Sequence, residues 1–216
     1  MRGLRISAIV TAVWMTAGAI LIGQTTPTAA DLAKRLQARY DTIRDFSGEF
    51  TQTYQGTLVR KGTTESGRLL VKKPSRVRFT YSAPEKKEFV SDGVRFYSYY
   101  PKNRQGSQAP LPKADEGSTA LLFLAGHGNL TRDFTSSMAA TQPEGEWHLR
   151  LVPKTPQADF DTLTLIVDRA TLILRGFVTV NDQGTNTIRF KNLKENTGIK
   201  DDAFYFQFPP GTEISR

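Results

Sequence analysis

Cysteine is absent from this 216-residue sequence, and its absence removes several kinds of chemistry at once. A chain without cysteine has no disulfides, no thiolate metal site, no cysteine nucleophile and no lipid-modified N-terminal cysteine. Histidine is nearly absent too, since only His127 and His148 occur. No spacing joins either histidine to a nucleophile and an acidic partner, and two histidines alone make a poor metal site. The sequence therefore predicts no metal, no cofactor and no enzyme activity.

Phosphate-binding glycine loops are also missing, because no glycine-rich turn follows a strand and opens a helix. The one long apolar run lies near the N-terminus, where residues 6–23 carry no charge and follow Arg2 and Arg5. Residues 28–30 are small and suit cleavage before Asp31. We predict a signal peptide over residues 1–30 and one exported domain over residues 31–216. An uncleaved membrane anchor remains an alternative, because the apolar run is long.

The net charge is +8, and subtracting the two N-terminal arginines leaves +6 for the rest of the chain. Solubility is one explanation, and attraction to an anionic membrane or an acidic partner is another. Tyr97, Tyr99 and Tyr100 lie near basic residues and would suit base stacking in a nucleic-acid-binding sheet. The export signal argues against that function, so we predict no nucleic-acid partner.

Most of the chain has the periodicity of β-strands. Residues 67–100 form four strand-like runs separated by short turns, and Val77, Phe79 and Tyr81 alternate with polar residues in the second run. Residues 46–60, 146–152, 160–167, 172–180 and 185–193 are further strand candidates. We expect a mainly β fold of about ten to eleven antiparallel strands in one domain.

Three segments break this pattern. Residues 31–46 predict an amphipathic helix that Asp31 caps. Residues 101–117 are rich in proline, glycine, glutamine and lysine, and we interpret them as an exposed loop. Residues 118–124 predict a short helix that is apolar on every side, so it needs cover on every side and would act as a plug or lid.

A curled antiparallel sheet with many strands has an inner face that can hold apolar cargo. For any single apolar residue, filling a core is the simpler interpretation, and the argument for a cavity is collective. The candidate cavity residues are Phe50, Leu69, Val71, Phe79, Tyr81, Phe89, Phe96, Leu121, Leu122, Phe123, Leu124, Trp147, Leu149, Leu163, Leu165 and Phe177.

These motifs, in this order, resemble the LolA family of periplasmic lipoprotein carriers. The resemblance covers nearly everything after residue 30, and its marks are the N-terminal helix leading into residues 50–52, residues 67–74, residues 90–93, the apolar helix and the aromatic residues 204–211. It implies an unclosed antiparallel β-barrel capped by a helical lid, a cavity for acyl chains, and delivery of lipoproteins from the inner to the outer membrane by a monomer. The implied partners are an inner-membrane ABC-type release complex and an outer-membrane receptor. That related receptor carries a lipidated cysteine, so the absence of cysteine favours the soluble carrier.

One position departs from the family pattern. The family usually has arginine immediately before the proline that Pro74 matches, where it ties the lid shut in the empty state, and this chain has Lys73. The resemblance implies that Lys73 is the lid latch. Its ammonium would act as a point charge, whereas the planar guanidinium of arginine can donate two parallel hydrogen bonds. A weaker latch and a paralogue that carries another lipid both remain open, as does a membrane-tethered interaction or sensor module with the same fold.

Overall fold

One large sheet dominates the structure, a computed structural model that describes residues 26–58, 62–111, 126, 128–157 and 159–215. Within these ranges the sheet has twelve strands. They are β1 (Asp45–Gly56), β2 (Thr63–Lys72), β3 (Arg76–Ala83), β4 (Lys87–Asp92), β5 (Arg95–Tyr100), β6 (Gln105–Pro110), β7 (Phe134–Met138), β8 (Glu146–Pro153), β9 (Thr162–Asp168), β10 (Leu174–Asn181), β11 (Gly184–Glu195) and β12 (Glu213–Ser215).

The strand order is β12-β6-β5-β4-β3-β2-β1-β11-β10-β9-β8-β7. Neighbouring strands run antiparallel, except that β12 pairs parallel with β6. The edge strands β7 and β12 do not pair with each other, so the sheet is open. The predicted mainly β, unclosed antiparallel architecture is confirmed, with twelve strands in place of ten or eleven.

The open sheet is strongly curved. Six strand spacings separate β5 from β10, which is about 29 Å in a flat sheet. Phe96 of β5 and Phe177 of β10 nevertheless line one common cavity. The sheet therefore curls around a concave inner face, as the prediction of an unclosed barrel requires.

Period-two alternation decides which residues face inward. In β3, Val77, Phe79 and Tyr81 are buried while the intervening residues are only half-buried. The same alternation buries Trp147, Leu149 and Leu151 in β8. Inward-facing side chains of all strands except β5, β6 and β12 thereby contribute to, or pack against, one apolar core.

The first helix, α1 (Ala29–Asp41), is shorter and begins earlier than the sequence suggests. The Thr28 hydroxyl, and not Asp31, caps it by accepting a hydrogen bond from the Asp31 backbone N–H at 3.1 Å. The expectation of a helix through residue 46 is wrong, because Asp45 and Phe46 already pair with β2 in the sheet.

The predicted loop over residues 101–117 is wrong for residues 105–110, which form β6. Backbone hydrogen bonds to β5 hold this strand, and such bonds form whether or not apolar and polar side chains alternate along it. Gly106 makes room for the C-terminal segment, because a Cβ atom there would lie 2.2 Å from Cε1 of Phe208.

A second, short helix, α2 (Leu130–Asp133), leads directly into β7 and contacts α1. The predicted lid, residues 118–124, and residues 1–25 of the predicted signal peptide over residues 1–30 lie outside the described residues. Among the helices that are described, none has the length and hydropathy needed to cross a membrane.

Candidate functional site

The concave face divides into two halves that are filled differently. On the half formed by β7, β8 and β9, α1 packs against the strands, and its Leu32 and Leu36 are buried. The inward side chains beneath it are tightly packed, namely Trp147, Leu149, Leu151, Leu163, Leu165 and Val167. We call this region the packed half. It is an ordinary hydrophobic core, in which most side chains are aliphatic.

The other half, formed by β3, β4 and β5 together with the inner-facing residues of β10 and β11, surrounds a cavity of about 1060 Å³. We call it the open half. Clefts for drug-sized ligands measure roughly 300–1,000 Å³, so this volume suits a large ligand. The apolar residues that line it are Val77, Phe79, Tyr81, Pro84, Phe89, Phe96, Tyr100, Ala109, Pro110, Leu111, Phe177 and Ile188.

A continuous series of aromatic rings runs from the core into the wall of the open half. The ring of Phe50 contacts Tyr81 edge-on at 4.8 Å between centroids. Tyr81 contacts Phe89 edge-on at 5.6 Å, and Phe89 stacks on Phe96 at 6.2 Å. Edge-to-face and offset contacts at these distances are favourable, so the rings support one another. The rings thus have aromatic neighbours although they border a cavity.

Gly67 in β2 allows this wall to form. A Cβ atom at Gly67 would lie 2.1 Å from the Thr80 carbonyl oxygen and 2.9 Å from Cε1 of Phe50. The register of β2 against β3 also shifts here, between Ser66 and Gly67. The glycine thus lets the Phe50 ring lie across β2 and reach the aromatic side chains of β3.

Polar groups also line the cavity. The Lys87 ammonium pairs with Glu65 at 2.8 Å and lies 4.4 Å from the centre of the Tyr81 ring. The Tyr81 hydroxyl donates to Gln52 Oε1 at 2.5 Å, and Gln52 Nε2 donates to Asn186 Oδ1 at 2.9 Å. Burial, with the nearby Glu65 carboxylate, raises the pKa of Tyr81, which therefore stays a neutral hydrogen-bond donor.

Lys73, the residue predicted to latch the lid, lies where α1 ends. Its ammonium donates to the Tyr40 carbonyl oxygen at 2.5 Å and sits 3.4 Å from the centre of the Tyr40 ring. Burial lowers the pKa of Lys73 from 10.5 to about 8, although the nearby Asp41 opposes the shift. Its side-chain carbons Cγ and Cδ lie 3.2 Å from the position of a Cβ atom on Gly126, which follows the predicted lid. The role of latch stays a prediction, because the lid residues themselves are outside the described ranges.

The structure distributes the predicted cavity residues over three places. Five line the cavity: Phe79, Tyr81, Phe89, Phe96 and Phe177. Seven are buried in the core without lining it: Phe50, Leu69, Val71, Trp147, Leu149, Leu163 and Leu165. Leu121, Leu122, Phe123 and Leu124 fall outside the described residues. Contact of any of these residues with cargo stays a prediction.

Sequence reasoning missed several residues that line the cavity. Val77 continues the inward alternation of β3, and Ile188 faces Phe177 across the β10–β11 pair. The period-two pattern of β3 indicates the inward side of Val77, but not the half to which it belongs. The polar lining residues Gln52, Thr179 and Asn186 have no apolar side chain that would mark them as cavity residues in the sequence.

The described residues offer no alternative site for metal chemistry, since they contain no group of three or more potential metal-ligating side chains. His148 lies on the outer face of β8, where its ring contacts Glu146 at 3.0 Å. Arg189 pairs with the same Glu146 and lowers its pKa. This cluster is an ion-pair network on the outer surface, away from the cavity.

An open antiparallel sheet around a large apolar cavity defines a class of binding proteins for apolar ligands. The family model "Outer membrane lipoprotein carrier protein LolA" matches residues 41–207. The chain therefore belongs to the LolA family.

Individual relatives agree with this membership. An outer-membrane lipoprotein carrier protein of Nitrosomonas europaea is 29% identical over 88% of this chain and 91% of the relative. One of Methylococcus capsulatus is 30% identical over 87% of this chain and 85% of the relative. A solved structure of an uncharacterized conserved protein from Thermus thermophilus shares the fold, with a TM-score of 0.53 and 12% identity over 87% of this chain and 99% of that one.

Proposed function

We propose that this protein binds the acyl chains of lipoproteins in the cavity of the open half and carries them from the inner to the outer membrane. The observation that carries the proposal is the aromatic-walled cavity of about 1060 Å³ beside a fully packed half. Membership of a family named for lipoprotein carriers supports the same function.

Burial of apolar surface supplies the binding free energy. Each acyl CH₂ group removed from water contributes about 0.8 kcal/mol, so a sixteen-carbon chain gains on the order of 12 kcal/mol before ordering costs. Binding of that strength would prevent release. A carrier therefore needs a competing state in which part of the protein occupies the cavity. We assign that competition to Leu121, Leu122, Phe123 and Leu124, whose apolar side chains require cover when no cargo is bound.

Lys73 is the residue proposed to hold the empty state. Its side chain lies against Gly126, two residues beyond the apolar run, while its ammonium is held by Tyr40 of α1. A lysine so placed can fix the end of the lid relative to α1. Handover then needs no nucleotide and no catalysis by this chain, only an acceptor of higher affinity.

The proposed setting is the periplasm. Residues 1–30 are proposed to direct export, and residues 31–216 form the carrier domain. The proposed partners are an inner-membrane ABC-type release complex, which loads the carrier, and a receptor at the outer membrane, which unloads it. The carrier is proposed to act as a monomer and to bind no nucleic acid.

Equilibrium binding of a triacylated lipopeptide tests the proposal. The purified protein should bind a fluorescent derivative saturably, and unlabelled lipopeptide should displace it. The cavity-wall substitution Phe96→Ala should weaken binding, whereas Phe204→Ala, outside the cavity, should not change the affinity of the folded protein. Absence of saturable binding of both lipopeptide and fatty acid would leave a structural β domain without carrier function.

Release kinetics test the latch separately. Lys73→Leu should release lipopeptide to acceptor vesicles more slowly, because the empty state loses a contact that the loaded state does not use. The effect should be about 1–3 kcal/mol, the range for a charge-assisted hydrogen bond. Lys73→Arg should release at least as fast as the unsubstituted protein. Unchanged release in Lys73→Leu would remove Lys73 from this role, and faster release would reassign it to cargo contact.

Cell fractionation separates a soluble carrier from a membrane-tethered module with the same fold. A soluble species whose mature N-terminus lies near Asp31 supports the carrier. Recovery of the protein only in the membrane fraction, with residues 1–30 retained, would contradict shuttling between membranes.

A further inference from the structure

The cavity contains a polar row that hydrophobic burial of acyl chains does not explain. Thr179 of β10 and Asn186 of β11 are directly opposed in the β-sheet register and both line the cavity. Gln52 and Tyr81 extend the row across the curved sheet through the hydrogen bonds described above. The row thus joins strands β3, β1, β11 and β10 on their inner faces.

Two donors in this row lack partners. Thr179 is 9% exposed, and among the described residues its hydroxyl has no hydrogen-bond partner. Asn186 accepts from Gln52 through Oδ1, which leaves its Nδ2 amide group without a partner in the described part of the chain. Both atoms are accessible from the cavity, because neither is among the fully buried side-chain atoms of the described residues that lack a partner. Donors that no protein group engages and that face an apolar cavity are available to a ligand with acceptor atoms.

Electrostatics limits which acceptors fit. The charged residues that line the cavity are Lys86, Lys87, Glu65, Glu85 and Asp159, and Lys87 is already paired with Glu65. Acids outnumber lysines, so the lining offers no net positive charge to a free carboxylate or a phosphate. A neutral carbonyl oxygen matches hydroxyl and amide donors without such a charge.

We propose that Thr179 and Asn186 form a subsite for the carbonyl oxygen of an acyl ester linkage. This inference rests on the proposed function, since the same cavity must first accept the acyl chain. The subsite fixes how deep the chain enters: the hydrocarbon lies along the aromatic wall, and the linkage lies level with Thr179. It also distinguishes acylated cargo from free hydrocarbon, which has no acceptor.

Paired probes that differ only in the linkage test the subsite. A fluorescent lipopeptide carrying ester-linked chains should bind the unsubstituted protein about three- to tenfold more tightly than its ether-linked analogue, which lacks the carbonyl, as expected for one or two hydrogen bonds. Thr179→Val should weaken ester binding by a similar factor and leave ether binding unchanged. Thr179→Ser, which keeps the hydroxyl, should restore the ester preference.

The controls separate the subsite from the carrier function. Thr187→Val removes a hydroxyl from the outer face beside Asn186 and should change neither affinity. Asn186→Leu, an independent substitution in the row, should reduce the ester preference. Equal affinities for ester and ether probes would overturn the subsite while leaving the carrier function intact. Loss of saturable binding for both probes would overturn the carrier function itself.

Two sources of acyl ester can be distinguished in the same assay. A short-chain phosphatidylcholine and its ether analogue replace the lipopeptide pair. An ester preference for the lipopeptide alone assigns the subsite to a protein-borne acyl group. A preference for the phospholipid alone assigns it to membrane lipid, and either result supports the carbonyl subsite.

Discussion

In both the packed half and the open half of the concave face, every second side chain of a strand points inward. In the packed half these side chains fill a core, whereas in the open half they line a cavity. In the packed half, aliphatic residues such as Leu149 and Leu163 interdigitate beneath α1, and they are completely or almost completely buried. In the open half, aromatic residues such as Phe89 and Phe96 are only half-buried and contact one another along the wall. Flat, rigid rings can line a space without filling it, whereas flexible aliphatic chains close it. Side-chain shape and the presence of a covering helix, more than hydrophobicity, separate core from cavity.

The largest expected effect is on stability, in the packed half. Leu149→Ala should lower the free energy of unfolding by about 2–5 kcal/mol, because the lost side chain leaves a cavity that its neighbours cannot fill. The lipopeptide affinity of the folded fraction should not change. Urea unfolding gives the first quantity, and titration at a temperature well below the transition gives the second. A large loss of affinity would contradict the division into halves.

A matching substitution in the open half should weaken lipopeptide binding more than it lowers stability. Phe89→Ala removes one ring from the cavity wall and should weaken lipopeptide binding by about 1.5–3 kcal/mol, through lost apolar contact. Its effect on the free energy of unfolding should be near 1 kcal/mol, because the ring is only half-buried. The same two measurements apply. A stability loss as large as that of Leu149→Ala would show that Phe89 belongs to the core.

Lys73 lies at the end of α1, and the pH dependence of stability tests its half-buried ammonium. Its pKa is about 8 in the folded protein and 10.5 in the unfolded chain. Between these values the unfolded state binds more protons, so the contribution of Lys73 to stability rises with pH in this window. Below pH 8 both states are protonated, and the cost of burying the charge is fully present.

Comparison with Lys73→Met isolates this contribution from other titrating groups. The difference in unfolding free energy, unsubstituted protein minus variant, should increase between pH 8 and pH 10. A flat or falling difference would mean that the Lys73 ammonium is solvated in the folded protein.

The smallest expected effect concerns the polar row of the open half. Tyr81→Phe removes the hydrogen bond to Gln52 and keeps the ring that packs on Phe50 and Phe89. The expected loss of unfolding free energy is about 0.5–1.5 kcal/mol. A loss above about 3 kcal/mol would mean that the row of hydrogen bonds, not ring packing, holds the wall together.

Most of the fold was predictable from the sequence, because alternation and turn residues are local signals. The four strand runs in residues 67–100 appear in the structure as β2 to β5. The errors lie where tertiary contacts decide. The side chains of residues 105–110 do not alternate between apolar and polar. These residues form a strand because they pair with β5 and contact Phe208.

The candidate site was less predictable. Alternation places Leu163 and Phe177 on the inner face alike, and both are buried, but Phe177 alone of the two also lines the cavity. The pairing of Thr179 with Asn186 depends on the register of β10 against β11. A turn joins these two strands, and no periodicity in the sequence predicts how they align across it. Polar residues inside a cavity carry no apolar signal, so this part of the site required the structure.

Photo-crosslinking with a lipopeptide that carries a diazirine near the end of an acyl chain tests the central claim most directly. After irradiation, mass spectrometry of the digested protein locates the attached chain. We predict crosslinks to Phe79, Phe89, Phe96, Phe177 or Ile188, and their loss when unlabelled lipopeptide competes. Competable crosslinks concentrated on Leu149, Leu151 or Leu163 would place the acyl chain in the packed half and contradict the account.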